Sequence, residues 1–295
     1  MLSTWLGLAV AAPEVEGLDV PRVPLSQRLA SDDASLVLLY GGEQRGETEP
    51  CGCALAPLGG LARATTYAEA VRAAAPDTPA LLLNAGAWLS NTSLGLQLLD
   101  ETHEANARVH AALRVHPWDV LNVTFRDWPD VASGPRPGLV SANTHAPDIP
   151  VVRYRLLSAG EHTVAITGVT RVGLPHLQPP GLSAQPPVEA LEALLPELQH
   201  RADVVVVLIY DLPREARTIA GLPGVDVVIE AGGYHARWGP WVEGEAVWVR
   251  TWEATPRLGE LRLWIEAGSV VRALERTIDL DSSLDAALTR PGRLR

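Results

Sequence analysis

The sequence predicts an α/β fold whose sheets pack together and carry helices on their outer faces. Three observations lead there. Continuous apolar runs of strand length, Ser35–Tyr40 and Asp203–Ile209 above all, have the composition of strands buried on both faces. Segments with helical apolar periodicity, such as Gly59–Ala75 and Val188–Arg201, are interleaved with those runs, and strand–helix alternation is the mark of α/β topology. The stretch Trp241–Asp281 instead alternates apolar and polar residues, as antiparallel strands do.

In chain order, residues 13–34 are polar and proline-punctuated and read as a lead-in. The strand Ser35–Tyr40 runs into Gly41–Leu58, which lacks periodicity and holds glycines, prolines and both cysteines, so it is a long loop. The alanine-rich helix Gly59–Ala75 and the buried strand Ala80–Leu83 follow. Ser93–Val115 reads as a longer helix and Asp119–Val123 as a strand. Gly138–Ala142, Val151–Leu157 and His162–Val169 are further strands, and Pro175–Pro187 is a proline-rich linker. After the Val188–Arg201 helix and the Asp203–Ile209 strand, Pro213–Ala220 reads as a helix with proline at its start. Val225–Ile229 is a short strand. Residues 35–281 therefore read as one domain, with 282–295 as a polar C-terminal tail.

Composition excludes several classes of function. The 295 residues can bury a substantial core. The net charge of −11, from 35 acidic and 24 basic residues, offers none of the basic surface through which nucleic acids are bound, so no nucleic-acid partner is expected. All 24 basic residues are arginine, so no lysine can serve as Schiff-base former, general base or phosphate-loop cation. Met1–Ala12 is an uncharged apolar stretch, and Ala9-Val10-Ala11 matches the small-x-small pattern of a signal-peptide cleavage site. Export to the periplasm is the expectation, a cytoplasmic location the alternative. No apolar run has the length of a membrane helix, so an integral membrane protein is not expected.

Three pieces carry a family resemblance. The first is Leu81-Leu82-Leu83-Asn84-Ala85-Gly86-Ala87, a buried strand running into a small-residue turn. The second is Gly138-Leu139-Val140-Ser141-Ala142-Asn143. The third is Ala202–Ile209, followed by Gly224–Ile229 and Gly232-Gly233-Tyr234-His235. In this order and spacing they resemble the metallophosphoesterase domain of bacterial 5'-nucleotidases, in the calcineurin-like phosphoesterase superfamily, over residues 35–270. The resemblance implies a layered β-sandwich flanked by helices, with two divalent ions at the strand ends held by Asp-x-His, Gly-Asp, Asn-His-Glu, a lone His and Gly-His-x-His.

The matching positions depart from that ligand set. Tyr40-Gly41-Gly42-Glu43-Gln44 follows the first strand without aspartate or histidine, and Ala87 stands where a bridging aspartate belongs, with Asn84 nearby. Thr124-Phe125-Arg126-Asp127 replaces Asn-His-Glu, Tyr210 replaces the lone histidine, and Gly233 takes the first histidine position of the last motif, leaving His235. Alanine and glycine offer no side-chain ligand and neutral tyrosine is a poor one, so no dinuclear centre and no resident cofactor are expected. Asn84, Asp127, Asn143 and His235 are left as positions for contact with a bound small molecule. Turn capping is the competing role for Asn143 and Asp127.

The segment Gly46-Glu47-Thr48-Glu49-Pro50-Cys51-Gly52-Cys53, followed by Gly59-Gly60-Leu61-Ala62-Arg63, resembles an exported, selenocysteine-capable subgroup of the same family. The resemblance implies redox or soft-metal chemistry for Cys51 and Cys53. Cysteines flanking one glycine can approach closely, and a disulfide in so small a ring departs from relaxed geometry and is easily reduced. The pair could cycle with a redox partner protein, bind a soft ion as thiolates, or merely help pack a turn. Two other functions stay open: a divergent metal-dependent hydrolase using Glu43, Asp127, Asp211 and His235, and a non-catalytic binding or interaction protein. His103 and His110, seven residues apart, lack the one-turn spacing of helical zinc sites. The tryptophans at 238, 241, 248, 252 and 264 suit sheet faces.

Overall fold

The computed structural model describes residues 12–19, 25–29, 33–50, 56–91, 93–94, 97–98, 100–133, 138–172, 181–232, 239–252 and 256–285. The first half comprises β1 (Glu14–Asp19), α1 (Leu25–Arg28), β2 (Leu36–Gly41), α2 (Leu61–Ala74), β3 (Ala80–Asn84), β4 (Ser93–Leu94), β5 (Gln97–Leu98), α3 (Asp100–Val115), β6 (Val120–Asn122), β7 (Leu139–Val140) and β8 (Thr144–His145). Then come β9 (Tyr154–Ala159), β10 (His162–Thr170), β11 (Ser183–Ala184), α4 (Pro187–Gln199), β12 (Val204–Tyr210), α5 (Ala216–Ala220) and β13 (Val227–Ala231). The last strands are β14 (Trp241–Glu243), β15 (Ala246–Arg250), β16 (Arg257–Glu266) and β17 (Ser269–Asp279).

Two sheets face each other. One has the order β1-β17-β16-β2-β3-β6-β7, the other β14-β15-β13-β12-β10-β9. Successive side chains of a strand point to opposite faces, so a strand with both faces covered must be apolar throughout. In β2, Leu36, Leu38 and Tyr40 enter the core between the sheets, while Val37 and Leu39 enter a second core beneath α2 and α3. In β12, Val204, Val206 and Leu208 face that same inner core, and Val205, Val207 and Ile209 pack under α4 and α5. The result is the layered α/β sandwich flanked by helices that the apolar runs predict.

The helices are placed by their apolar stripes. α4 begins at Pro187, whose fixed φ suits a first helical position, and buries Leu191, Leu194, Leu195 and Leu198. α2 buries Leu61, Ala64, Tyr67, Ala68 and Val71 under the first sheet. Strands β2, β3, β6 and β7 are mutually parallel, as are β10, β12, β13 and β15. Open parallel sheets of this kind present their C-terminal ends to ligands.

Several elements differ from the sequence prediction. The helix read over Ser93–Val115 starts at Asp100, and its first residues form the two-stranded ribbon β4–β5. Asp100 and Glu101 lie in the first helical turn, where acids favour the start of a helix, and they mark the true beginning. Pro213–Ala220 yields only the five-residue α5. Val151–Leu157 shifts to Tyr154–Ala159, pairing with β10, and Gly138–Ala142 shortens to β7. Residues read as lead-in supply β1, which pairs in parallel with β17. Trp241–Asp281 is not antiparallel throughout, because β15 pairs in parallel with β13. At the other end, Leu284 is buried and Arg63 pairs with Asp285 at 2.7 Å. Cys51, Cys53, His235, residues 1–11 and residues 175–180 of the Pro175–Pro187 linker lie outside the described residues.

Candidate functional site

Unusual chemistry gathers at one end of the two sheets, where β2, β3, β6, β10, β12 and β13 deliver their loops. Backbone conformation marks it first. Glu43, Arg45, Ala87 and Asp211 have φ of 57°, 49°, 54° and 54°, a left-handed region that costs non-glycine residues energy and that surrounding contacts must enforce. The enforcing contacts are visible. Glu43 N donates to Gly86 O at 2.8 Å, Arg45 N to Ala87 O at 3.0 Å and Asp211 N to Ala231 O at 2.9 Å. The loop after β2 is thereby zipped onto the loop after β3.

Asp127 holds the centre of this arrangement. Its fully buried carboxylate accepts hydrogen bonds from Leu89 N at 2.9 Å, Ala87 N at 3.3 Å, Thr124 N at 2.9 Å and Thr124 Oγ1 at 2.5 Å. None of these donors is charged. Burial raises its pKa to about 6 even though every hydrogen bond opposes that rise. Asn84 is spent in a similar way: Nδ2 donates to Gln44 Oε1 at 2.8 Å, and Oδ1 accepts from Gly86 N at 2.8 Å.

Close packing fills the space between the loops. Gly86 has φ 131°, and a Cβ there would stand 2.3 Å from Thr124 Cγ2 and 3.1 Å from Tyr210 Cβ, so only glycine fits. The Tyr210 ring is 2% exposed and lies 5.7 Å from the Phe125 ring. Burial pushes its phenol far above the ordinary range, with Arg126, Glu43, Asp127 and Arg45 all close enough to act on it.

Asn122 joins the two sheets. Its Nδ2 lies 3.0 Å from Ala85 O, 3.2 Å from Val169 O and 3.4 Å from Leu208 O, spanning β3, β10 and β12. Gly168 makes room for it, since an added Cβ would meet Asn122 Oδ1 at 2.2 Å. A polar residue inside the apolar run Val120–Val123 is the sequence signal for this clamp, which the strand pattern alone does not reveal.

The predicted contact residues thus fall into two groups. Asn84 and Asp127 both accept from the backbone of the loop after β3, Asn84 from Gly86 N and Asp127 from Ala87 N and Leu89 N. Asn143 sits at the same end, against β10: Nδ2 donates to Thr170 O at 2.9 Å and Gln185 O at 3.1 Å, and Oδ1 accepts from Thr170 N at 3.0 Å. It borders a cleft of about 680 Å³ lined also by Ser141, Thr144, His145 and Ser183. His103 and His110 lie elsewhere, both against Asp130.

Charged pairs and unpartnered polar atoms complete the site. Arg45 Nη2 pairs with Glu43 at 2.5 Å and Arg171 Nε with Asp211 at 2.7 Å. Arg126 and Arg171 both lie over the Phe125 ring. Gln44 Nε2, Arg126 Nε, Thr251 Oγ1 and Asn122 Oδ1 are buried with no hydrogen-bond partner among the described residues, and all belong to this end of the sheets.

No family model matches the sequence, and no curated protein matches it. Solved structures do match the fold. The chain is similar to a sulfate thiohydrolase, SoxB, of Thermus thermophilus in complex with glycerol, with a TM-score of 0.71 and 17% identity over 88% of this chain and 60% of that one. It is similar to a 5'-nucleotidase precursor, also from Thermus thermophilus, with a TM-score of 0.66 and 21% identity over 86% of this chain and 57% of that one. A calcineurin-like phosphoesterase, YfkN, from Bacillus subtilis matches with a TM-score of 0.58 and 13% identity over 86% of this chain and 95% of that one. The fold is that of the metallophosphoesterases. The chain spans 60% and 57% of the length of the first two structures. Among the described residues, no helix is long and apolar enough to cross a membrane.

Proposed function

We propose that this chain is a metallophosphoesterase-fold protein that binds at its sheet tips without ordinary dinuclear phosphoester hydrolysis, its chemistry residing in Cys51 and Cys53. The observation that carries this reading is the caging of Asp127. A metal ligand needs a free lone pair directed at the ion; Asp127 Oδ2 already accepts three hydrogen bonds, and Oδ1 accepts one from Leu89 N. Asn84 Oδ1 is likewise committed to Gly86 N. Ala87, Gly86 and Tyr210 occupy the neighbouring positions and supply no carboxylate or imidazole. Among the described residues, no group of three or more His, Cys, Asp or Glu side chains is arranged to hold a metal ion. The described residues therefore do not fit a pair of divalent cations, and no step is routed through such a pair.

The flanks of the cysteine segment support its place beside this end of the fold. Thr48 O accepts from Leu61 N at 3.0 Å, a Cβ on Gly60 would stand 3.1 Å from Pro50 Cδ, and Arg63 Nη1 donates to Pro57 O at 2.8 Å. Thr48, Pro50 and Pro57, which flank residues 51–55 in sequence, thus lie against the start of α2. In the redox version, one thiolate attacks a partner's disulfide, and the second displaces the partner as a dithiol. Two electrons pass to the partner and an intramolecular disulfide remains. With the apolar N-terminus, this fits an exported protein working with a redox partner.

A phosphatase assay with a nucleotide and an aryl phosphate, in manganese and in zinc, tests the first half of this proposal, and negligible turnover is expected. Robust turnover would establish the divergent-hydrolase alternative. A free-thiol count on native protein, reduced and oxidised, tests the second half. Reversible loss of both thiols is expected, and two thiols unlabelled in either state would refute it.

A further inference from the structure

Two guanidinium groups share one aromatic ring at the sheet tips. Arg171 Cζ lies 4.3 Å and Arg126 Cζ 5.4 Å from the centroid of Phe125. A guanidinium resting on a ring uses its flat face and keeps its edge N–H groups for in-plane acceptors. Arg171 gives its Nε to Asp211, with its side chain 46% exposed. Arg126 is only partly exposed, its Nε is buried without a partner, and among the described residues no carboxylate pairs with it.

A partly buried cation lacking a counter-charge carries a desolvation cost that an anion would offset. The acids nearby do not provide one. Glu43 is paired with Arg45, Asp211 with Arg171, and Asp127 is occupied by neutral donors. Two further donors at this end, Gln44 Nε2 on the loop after β2 and Thr251 Oγ1 after β15, are also buried and unused among the described residues. These loops touch, since a Cβ on Gly42 would lie 3.3 Å from Thr251 Oγ1.

We infer that Arg126 and Arg171, stacked on Phe125, bind the oxyanion group of a small ligand through the edge N–H groups of their guanidiniums. This deepens the reading of the sheet tips as a binding site without a dinuclear centre, and rests on it. The shared chemistry is an oxyanion, either free or carried on a small ester.

Calorimetric titration in EDTA at constant ionic strength tests this, with inorganic phosphate as the free probe and methyl phosphate as the ester. Saturable binding of at least one probe is expected, and the tighter of the two identifies the source. R126Q and R171Q should each weaken it about tenfold or more, the scale of losing a charge-assisted hydrogen bond. R217Q, which alters a 76% exposed arginine on α5, should leave binding unchanged. If R126Q does not fold, R126K keeps the charge, loses the planar fork and must still weaken binding. No saturable binding, or equal binding by wild type, R126Q and R171Q, overturns the inference. Manganese-dependent hydrolysis of methyl phosphate would instead overturn the reading beneath it, and the two failures are distinguishable because the titration contains EDTA.

Discussion

Glu260 and Asp127 are both buried carboxylates, and their surroundings are opposite. Glu260, in the middle of β16, receives Tyr67 Oη at 2.5 Å and Arg262 Nε at 2.6 Å, with Arg276 Nη1 at 3.5 Å. Its charge is answered by cations within the outer core of the first sheet. Asp127, at the sheet tips, is answered by three amides and a hydroxyl, while its sequence neighbour Arg126 has no carboxylate partner among the described residues. Burial of a charge alone therefore does not mark a site. What distinguishes the tips is that an available cation has not been used to neutralise the adjacent acid.

The comparison can be broken by mutation. The largest effect is expected from Glu260→Ala, which removes a buried carboxylate facing two guanidiniums and should cost about 3–5 kcal/mol in urea unfolding. Asp127→Ala orphans buried donors from three residues and should cost about 3 kcal/mol, with Asp127→Asn milder because one acceptor oxygen stays. A loss below about 1 kcal/mol would show that the cage is not structural and free the carboxylate for another role. Gly168→Ala drives a methyl group into Asn122 and should cost about 1–3 kcal/mol by overpacking, read in the same assay.

The gentlest test changes only pH. The folded-state pKa of Asp127, about 6, lies above that of an unfolded aspartate, so the native protein holds the proton longer. Stability contributed by this group is full below about pH 4, falls as pH rises towards 6 and is flat above, with a slope of at most about 1.4 kcal/mol per pH unit. Asp226, also raised to about 6 by burial, acts in the same direction, so Asp127→Asn should remove part of the slope and Asp226→Asn another part. An unchanged profile in Asp127→Asn would show that its carboxyl titrates normally.

The sandwich was legible where strands are buried on both sides, because β2 and β12 leave no polar position to confuse the pattern. It was less legible where partners are distant in sequence. Glu14–Asp19 is polar because it lies at a sheet edge, and only β17 makes it a strand. The Trp241–Asp281 pattern is blind to β13, the parallel neighbour of β15. At the site, Asp127 and Asn84 could be found from their places after strands. The Asn122 clamp and the placing of Arg171 over the Phe125 ring beside Arg126 depend on the second sheet and the loop after β10, a relation that no local spacing encodes.

The most direct test of the central claim is a calorimetric titration of manganese into the dialysed chain. No saturable uptake at the sheet tips is expected, and the same trace for wild type and Asp127→Asn. Two manganese ions bound per chain, with uptake lost in Asp127→Asn, would contradict it.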